Sequence, residues 1–486
     1  LLAKLDGRGK MTHPMKFLRK MTLLGFALAL LMTNCKSAGP HQENPLSLNS
    51  KNPHYFDFRR QPTILITSGE HYGAVLNADF NFIPYLDELK RADLNLTRTF
   101  TGFYVEKKGN FGIGNNVLAP DSGKFICPWA RSTQPGYAGG GNKFDLAKWD
   151  PVYFSRLKKF VAEASDRGIV VELNLFCPFY DDTQWAVAPV NPNNNINGTP
   201  EISRTNVYTL DKNKGLLEIQ KAMTEKIVRE LNEFDNVYYE ICNEPYFGGV
   251  TLEWQKAIAS VIRAAERGLP HQHLISQNIA NGSRKISDPD PQVSIFNFHY
   301  ATPPVTVGMN YSLEKVLGDN ETGFKGTNDF TYRSEGWAFL LAGGGLYNNL
   351  DYSFAVGHES GDLKYSAKEP GGGSRALRDQ LTILKRFMFS LDFVDMAPFA
   401  LPVSGLPSTA AVYCLKGVTS NYAVYLKANG IKALTIRIPA KKWTCRFVDT
   451  KTGKISESQG TGLGGEITLA LPRYSEDIAF ELRTSQ

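Results

Sequence analysis

Two glutamates at predicted strand ends are the residues of this sequence best suited to chemistry. Glu244 lies in an Asn-Glu-Pro motif directly after the β-rich run 237–241, and Glu321 lies in a Glu-Thr-Gly motif shortly after the run 315–318. Two carboxyl groups about 5–5.5 Å apart can cleave a glycosidic bond with retention of configuration, one as the acid and the other as the nucleophile. Mutual repulsion across such a gap raises the pKa of the acid.

A parallel barrel would bring these two strand ends together. The sequence contains eight β-rich runs separated by polar loops and helical patterns, at 64–68, 94–100, 169–176, 237–241, 274–279, 293–300, 315–318 and 345–352. Strands that alternate with helices indicate an α/β protein with a (β/α)8 TIM barrel, in which chemistry occupies the carboxyl ends of the strands. We therefore predict a catalytic barrel over residues 52–396, with the fourth and seventh strand ends facing each other across its mouth.

Local signals support several of the helices between these strands. Asp150 and Pro151 supply an N-cap and a first-turn proline for a helix that ends at Gly168, and Ser374 precedes a second apolar stripe with helical spacing. The connections 281–292 and 301–314 are short and rich in Pro, Asp and Gly. We expect the helices after the fifth and sixth strands to be absent or vestigial.

The last 90 residues have a different sequence pattern. Short alternating runs at 410–415, 422–427, 433–438, 443–449, 466–471 and 477–482 follow one another without helices. This spacing predicts a small all-β sandwich domain at 397–486. Cys414 and Cys445 lie within it, and they either pair or remain as two buried thiols.

The composition is that of an ordinary globular protein, with 42% hydrophobic and 21% charged residues among 486, which excludes a disordered or collagen-like chain. The net charge is +6, but residues 1–35 carry +5 of it, so the remainder of the chain is nearly neutral. Such a chain lacks the basic surface that nucleic acids require, and no nucleic-acid partner is expected.

The N-terminus has the three parts of a secretory signal. The basic segment 15–20 precedes the apolar run 21–32, and the signal ends at Cys35. The run is too short to span a bilayer, which needs about 20 residues. Its end at a cysteine resembles a bacterial lipoprotein signal, in which Cys35 would carry the lipid; a plain secretory signal is the alternative. We therefore predict a signal at 1–35, a polar tether at 36–51, and an exported protein with a lipid anchor to a bacterial membrane.

The strand-end motifs resemble those of the clan A glycoside hydrolases, particularly the family five cellulase-like enzymes and the apiosidase-like proteins that add a C-terminal sandwich. The resemblance covers about residues 52–395. It implies that Glu244 is the acid/base, that Glu321 is the nucleophile and that Asn243 holds the sugar 2-hydroxyl. It further implies that Arg98 supports the nucleophile and that His299 belongs to the active site.

Other polar and aromatic residues near the predicted mouth are candidate sugar contacts. His71 ends the first strand, Tyr300 follows His299, and Trp185 lies in the loop after the third strand. The eighth strand carries no tryptophan where the family has one and offers Asn349 instead. A further departure lies after the sixth strand. The family commonly has a tyrosine two residues beyond the histidine, and in this sequence it is replaced by Thr302, which lies one position further on.

The expected substrate is an oligo- or polysaccharide, cleaved by a retaining two-glutamate mechanism. No cofactor and no metal are expected, because the sequence has no His-x-x-x-His or Cys-x-x-Cys spacing and no dinucleotide fingerprint. Two alternatives remain open, a non-catalytic glycan-binding lipoprotein and an endo-acting enzyme of the cellulase or mannanase type. Long loops after the second and third strands should form a wall on one side of the mouth.

Overall fold

Eight parallel strands form the central sheet of the computed structural model, which describes residues 44–462 and 465–485. They are β1 (Leu65–Gly69), β2 (Leu96–Phe100), β3 (Val170–Phe176), β4 (Val237–Cys242), β5 (Ile275–Asn281), β6 (Ile295–His299), β7 (Val316–Thr322) and β8 (Leu346–Leu350). The hydrogen-bonded order runs β1-β8-β7-β6-β5-β4-β3-β2. All eight predicted runs are therefore strands, and the predicted TIM barrel is confirmed.

A buried asparagine closes the barrel between β1 and β2. The Asn95 side chain accepts a hydrogen bond from the Ile66 N–H (2.9 Å) and donates one to the Ile64 carbonyl (2.9 Å), while its own N–H donates to the Ile66 carbonyl (3.2 Å). The amide side chain thus supplies hydrogen bonds that a regular ladder would otherwise make.

The helices pack outside the barrel. They are α1 (Phe82–Arg91), α2 (Pro151–Asp166), α3 (Asp182–Trp185), α4 (Leu216–Leu231), α5 (Leu252–Ala265), α6 (Val305–Asn310), α7 (Asp329–Leu341) and α8 (Arg375–Phe389). Short 3-10 turns lie at Asn110–Gly112, Pro192–Asn194, Arg204–Asn206, Tyr311–Leu313 and Phe393–Asp395. As expected, no helix follows β5 among the described residues, and the helix after β6 has only six residues.

Both helix starts inferred from the sequence are capped as expected. The Asp150 carboxylate accepts from the Val152 N–H (2.9 Å), and the Ser374 hydroxyl accepts from the Leu377 N–H (2.9 Å). These side chains satisfy amide groups that the first helical turn leaves unpaired. Within the described residues, no helix combines the length and the apolar character needed to cross a membrane.

A small antiparallel sheet closes the amino-terminal end of the barrel. Its strands are Ser47–Leu48, Phe56–Phe58 and Gln61–Thr63, and Leu46, Phe56 and Phe58 pack against the first residues of the barrel strands. Residues 44–51, which were predicted to be part of a tether, therefore belong to the fold. The predicted signal and Cys35 lie outside the described residues. Because this end is closed, the open end of the barrel is the one at which the strands finish.

The C-terminal region is a pair of antiparallel sheets around one apolar core. Its strands are β9 (Met396–Pro398), β10 (Val403–Ser404), β11 (Ala411–Gly417), β12 (Asn421–Lys427), β13 (Ala433–Ile436), β14 (Lys442–Asp449), β15 (Ile455–Thr461), β16 (Ile467–Ala470) and β17 (Asp477–Ser485). The predicted sandwich is confirmed. β15 was not predicted from the sequence, because its residues are mostly polar and do not alternate between apolar and polar types. Cys414 and Cys445 are both buried free thiols, so they do not pair with each other.

One buried ion pair joins the barrel to the C-terminal sheets. Arg333 on α7 is 1% exposed and donates to the Asp477 carboxylate at the start of β17 (2.8 Å). Asp477 also accepts from the Tyr425 and Thr450 hydroxyls (2.9 and 2.7 Å), and Gln380 accepts from Arg333 (2.7 Å). Each charged group at this junction is therefore compensated by several partners.

The interior of the barrel holds a second polar cluster, below the open end. Asn297 and Asn320 each donate from Nδ2 to both Glu172 Oε1 (2.9 Å) and Glu240 Oε2 (2.7 Å). Glu240 is also paired with the guanidinium of Arg98. Burial, followed by the charge of Glu240, raises the pKa of Glu172 well above its usual value. The buried site therefore favours the protonated form of Glu172.

We expect the Arg333→Ala substitution to lower the free energy of unfolding by about 3–5 kcal/mol, because it leaves the Asp477 carboxylate buried without its cation. Urea unfolding measures this loss. The matched control is Arg437→Ala, which breaks an exposed ion pair with Glu466 and should cost no more than about 0.5 kcal/mol. Equal losses in the two variants would contradict a role of the buried pair at the junction.

We expect Glu172→Gln to remove a pH dependence of stability. Because folding raises the pKa of Glu172, the folded wild type holds this proton to a higher pH than the unfolded chain, which releases it above about pH 4.3. Above that value Glu172 therefore lowers the free energy of unfolding by up to about 1.4 kcal/mol per pH unit. The glutamine variant binds no such proton, and its advantage over the wild type should grow as the pH rises. Urea unfolding at pH 5, 6 and 7 measures the difference, with the exposed Glu253→Gln as control. A constant difference across this range would refute the neutral carboxyl.

Candidate active site

A cavity of about 260 Å³ opens at the carboxyl ends of the barrel strands. Polar side chains form much of its inner wall, and three exposed phenylalanines lie at its mouth. The lining residues are His71, Tyr72, Phe100, Glu106, Phe111, Leu118, Cys177, Tyr180, Asn243, Glu244, Phe247, Asn281, Tyr300, Glu321 and Phe324. The loop after β2 supplies three of them and the loop after β3 supplies Cys177 and Tyr180, so both long loops contribute to the lining.

Glu321, near the end of β7, accepts hydrogen bonds at both of its carboxylate oxygens. The Tyr72 hydroxyl donates to its Oε2 (2.7 Å) and the Tyr300 hydroxyl donates to its Oε1 (2.8 Å). The guanidinium of Arg98 contacts Oε2 (3.3 Å). Burial alone would raise the pKa of Glu321, but the charges of His299 and Arg98 and these hydrogen bonds lower it below its usual value. Glu321 is therefore ionised at neutral pH.

Glu244 follows β4 and faces Glu321. Tyr180 donates to its Oε2 (2.5 Å), and Tyr246 donates to its Oε1 (3.3 Å). The backbone of Glu244 has a φ of +37°, a left-handed conformation that a non-glycine residue adopts only when its surroundings hold it there. The turn after β4 thus aims this carboxyl group into the cavity.

His299 lies between the two carboxylates. Its Nδ1 is 3.1 Å from Glu244 Oε1 and 3.4 Å from Glu321 Oε1, and one oxygen of each carboxylate lies within 4.8 Å of the other and of the ring nitrogen. Burial alone would lower the pKa of His299, but the two glutamates raise it to about 10. These three groups have the spacing of metal ligands, and a metal there would have to displace the proton from the imidazole.

Arg98 and Asn243 form the base of the site. Arg98 Nη2 donates to Asn243 Oδ1 (2.8 Å) and pairs with Glu240, while its guanidinium also lies 4.5 Å from the centre of the Tyr72 ring. Asn243 Nδ2 in turn donates to the Tyr180 hydroxyl (2.9 Å). These contacts hold the side chains of Arg98, on β2, and Asn243, directly after β4, in fixed positions relative to each other.

The structure does not bring all the predicted sugar contacts to the cavity. His71 and Tyr300 line it, but Trp185 and Asn349 do not. Trp185 ends α3 and packs into the core against Phe179, with ring centres 5.1 Å apart. Asn349 is fully buried within β8 and donates to the Leu350 carbonyl (3.2 Å). Packing among core aromatic rings explains the position of Trp185. Asn349 is paired along β8 with Ser68 and Thr322, whose hydroxyls bond to Asp351 and Glu335 and not to groups of the cavity.

Several residues at the site were not anticipated from the sequence. Tyr72 and Tyr180 bond to the two glutamates, and Glu106 forms a carboxylate on the far wall that contacts His71 (3.3 Å) and accepts from Tyr104 (3.1 Å). Tyr72 could have been found from its position next to His71 at a strand end. Tyr180 and Glu106 lie inside loops, where the sequence has no periodicity to show which side chains turn inward.

Part of the chain matches a known protein family. Residues 125–336 match the family model of cellulases, glycosyl hydrolase family 5. The matched segment contains β3 to β7 and both glutamates. No curated protein is a significant sequence match to the chain.

Solved structures share the fold. A putative glycoside hydrolase from Bacteroides vulgatus ATCC 8482 is 14% identical with a TM-score of 0.65, over 92% of this chain and 84% of its own. A family 5 glycoside hydrolase from the same organism is 13% identical with a TM-score of 0.62, over 92% of this chain and 95% of its own. The family match and the barrel together confirm the resemblance to glycosyl hydrolase family 5, and the protein is a glycosidase.

Proposed function

We propose that this glycosidase is a retaining enzyme that hydrolyses a complex carbohydrate outside the cytoplasm. The observation that carries the proposal is the separation of Glu244 and Glu321, whose nearest carboxylate oxygens lie within 4.8 Å of each other. This spacing fits a direct attack by one carboxylate on the sugar, whereas an inverting pair stands about 6.5–9.5 Å apart to admit a water molecule.

In the first step, an oxygen of Glu321 attacks the anomeric carbon. The bond from that carbon to the leaving oxygen breaks, and the leaving oxygen takes the proton of Glu244. The products are a glycosyl ester on Glu321 and the released alcohol. In the second step, water attacks the same carbon and gives a proton to Glu244, and the ester bond to Glu321 breaks.

The environment of Glu321 supports its role as the nucleophile. Glu321 has the guanidinium of Arg98 and the imidazolium of His299 as neighbours, and both favour the ionised carboxylate that a nucleophile requires. Glu244 has two tyrosine hydroxyls and His299 around it. Asn243, Glu106 and His71 offer hydrogen-bonding groups for sugar hydroxyls on the cavity wall.

The proposed export rests on the sequence. The basic segment, the apolar run and Cys35 together have the form of a lipoprotein signal. Export would bring the enzyme to carbohydrates outside the cytoplasm, and a lipid on Cys35 would hold it at the membrane.

We expect Glu321→Gln to abolish turnover, by at least about 1000-fold, because no group remains to form the glycosyl ester. Glu244→Gln should slow alkyl glycosides by about 100- to 10,000-fold but aryl glycosides with acidic leaving groups far less, since those leave without a proton. Initial rates on a panel of aryl and alkyl glycosides, in both anomers, measure this difference. Proton NMR of the first product should show retained configuration.

The control for these variants is Glu457→Gln, an exposed carboxylate on β15, which should keep the wild-type rate. Wild-type rates in both active-site variants on a substrate that the enzyme hydrolyses would contradict the proposed roles of Glu244 and Glu321. An inverted first product would contradict the retaining mechanism.

We expect Cys35→Ser to release the protein from the membrane fraction of a bacterial host, because the lipid is attached through that thiol. Detergent phase partitioning of the expressed protein measures this. The control is Cys445→Ala, a free thiol in the C-terminal sheets, which should partition as the wild type does. Unchanged partitioning of Cys35→Ser would refute the lipid anchor.

A further inference from the structure

The mouth of the active-site cavity carries an unusual amount of exposed aromatic surface. Phe111 and Phe247 are each 43% exposed and Phe324 is 39% exposed, and all three line the cavity. Exposed apolar surface next to a binding pocket commonly marks a contact with a ligand or partner. We call Phe111, Tyr180, Phe247 and Phe324 the aromatic rim.

The rim residues form a continuous arc. The ring centres of Phe324 and Phe111 are 6.4 Å apart, those of Phe111 and Tyr180 are 5.3 Å apart, and those of Tyr180 and Phe247 are 5.7 Å apart. The planes of neighbouring rings are inclined to each other by 55° to 86°, so the arc exposes both the faces and the edges of the rings. Rings in this arrangement can contact an apolar group from several sides.

The rim is tied to the two glutamates. Phe247 and Phe324 each follow a glutamate by three positions, and the Phe247 N–H donates to the Glu244 carbonyl (3.0 Å). The turn that places Glu244, the group proposed to protonate the leaving oxygen, therefore also places Phe247. A leaving group bonded to that oxygen must lie next to the rim.

The backbone holds these rings against local preference. Phe111 and Phe324 have φ values of +55° and +54°, a left-handed conformation that bulky residues rarely adopt. The loop beyond Phe247 is equally constrained: a Cβ on Gly249 would lie 2.3 Å from the Thr205 carbonyl oxygen. The fold thus holds the backbone that carries the exposed rings.

The chemistry of the rim differs from that of the cavity floor. A sugar ring needs partners for its hydroxyl groups, and the floor supplies them through Glu106, His71 and Asn243. The three exposed rings carry no polar atom, and Leu118 adds a further apolar contact. We propose that the rim is an aglycone site, and that the preferred substrates are glycosides whose leaving group is an apolar alcohol rather than a second sugar. This inference rests on the proposed glycosidase mechanism at the cavity floor.

A kinetic comparison of methyl and octyl glycosides tests the preference, because the two alcohols have similar basicity and differ in apolar surface. Below the micelle concentration of the octyl compounds, the wild type should favour octyl over methyl in kcat/KM by about 100-fold. This ratio corresponds to burial of about three to four of the additional methylenes, each of which contributes about fourfold. Phe247→Ala and Phe324→Ala should each reduce this ratio about tenfold. The control Phe389→Ala, an exposed phenylalanine on α8 that does not line the cavity, should leave the ratio unchanged.

A binding measurement separates this inference from the mechanism. Titration calorimetry with free 2-naphthol, which carries no sugar, should show binding that weakens at least tenfold in Phe247→Ala/Phe324→Ala and not in Phe389→Ala, with circular dichroism confirming folded variants. Naphthol binding that is absent, or unaffected by the rim substitutions, would overturn the inference, as would an octyl-to-methyl ratio near one. Rim-dependent naphthol binding without hydrolysis of any glycoside would support the aglycone site and count against the proposed mechanism.

Discussion

The guanidinium of Arg98, buried in the middle of the barrel, is the charge on which the rest of the site depends. It is 1% exposed and contacts Glu240, Glu321 and Asn243. A buried cation is tolerated only where carboxylates and hydrogen-bond acceptors surround it. The barrel interior is accordingly polar at this level, while an apolar cluster seals the end below it. The same contacts that satisfy Arg98 also hold the carboxylate of Glu321 and the amide of Asn243 at the base of the cavity.

The order of charges across the barrel follows from that cation. Glu321 is ionised beside Arg98, whereas burial, followed by the charge of Glu240, raises the pKa of Glu172 and favours its protonated form. The imidazolium of His299 adds a second positive charge between the two glutamates. The result is a strongly polar floor beneath a rim of phenyl rings. Such a division suits a substrate with a sugar at one end and an apolar group at the other, which links the proposed mechanism to the aglycone site.

Much of the fold could be predicted from the sequence because the signals are local. The eight barrel strands are short β-rich runs separated by helical patterns and polar loops, and Asp150 and Ser374 mark helix starts by their own side-chain hydrogen bonds. The prediction failed where local pattern and tertiary packing diverge. β15 has no apolar alternation, yet it pairs along β14. Residues 44–51 are polar enough to suggest a tether, yet Leu46 among them packs against the barrel strands.

The sequence by itself determined the barrel, the C-terminal sandwich and the two strand-end glutamates, because strand order and strand ends follow from periodicity and chain sense. Only the tertiary structure decided which side chains from separate loops meet. Tyr180 and Glu106 turn into the cavity and Trp185 turns into the core, although all three lie in loops on the same side of the barrel. The aromatic rim is of the same kind: its rings come from four loops far apart in the sequence, and their proximity depends on the closure of the barrel.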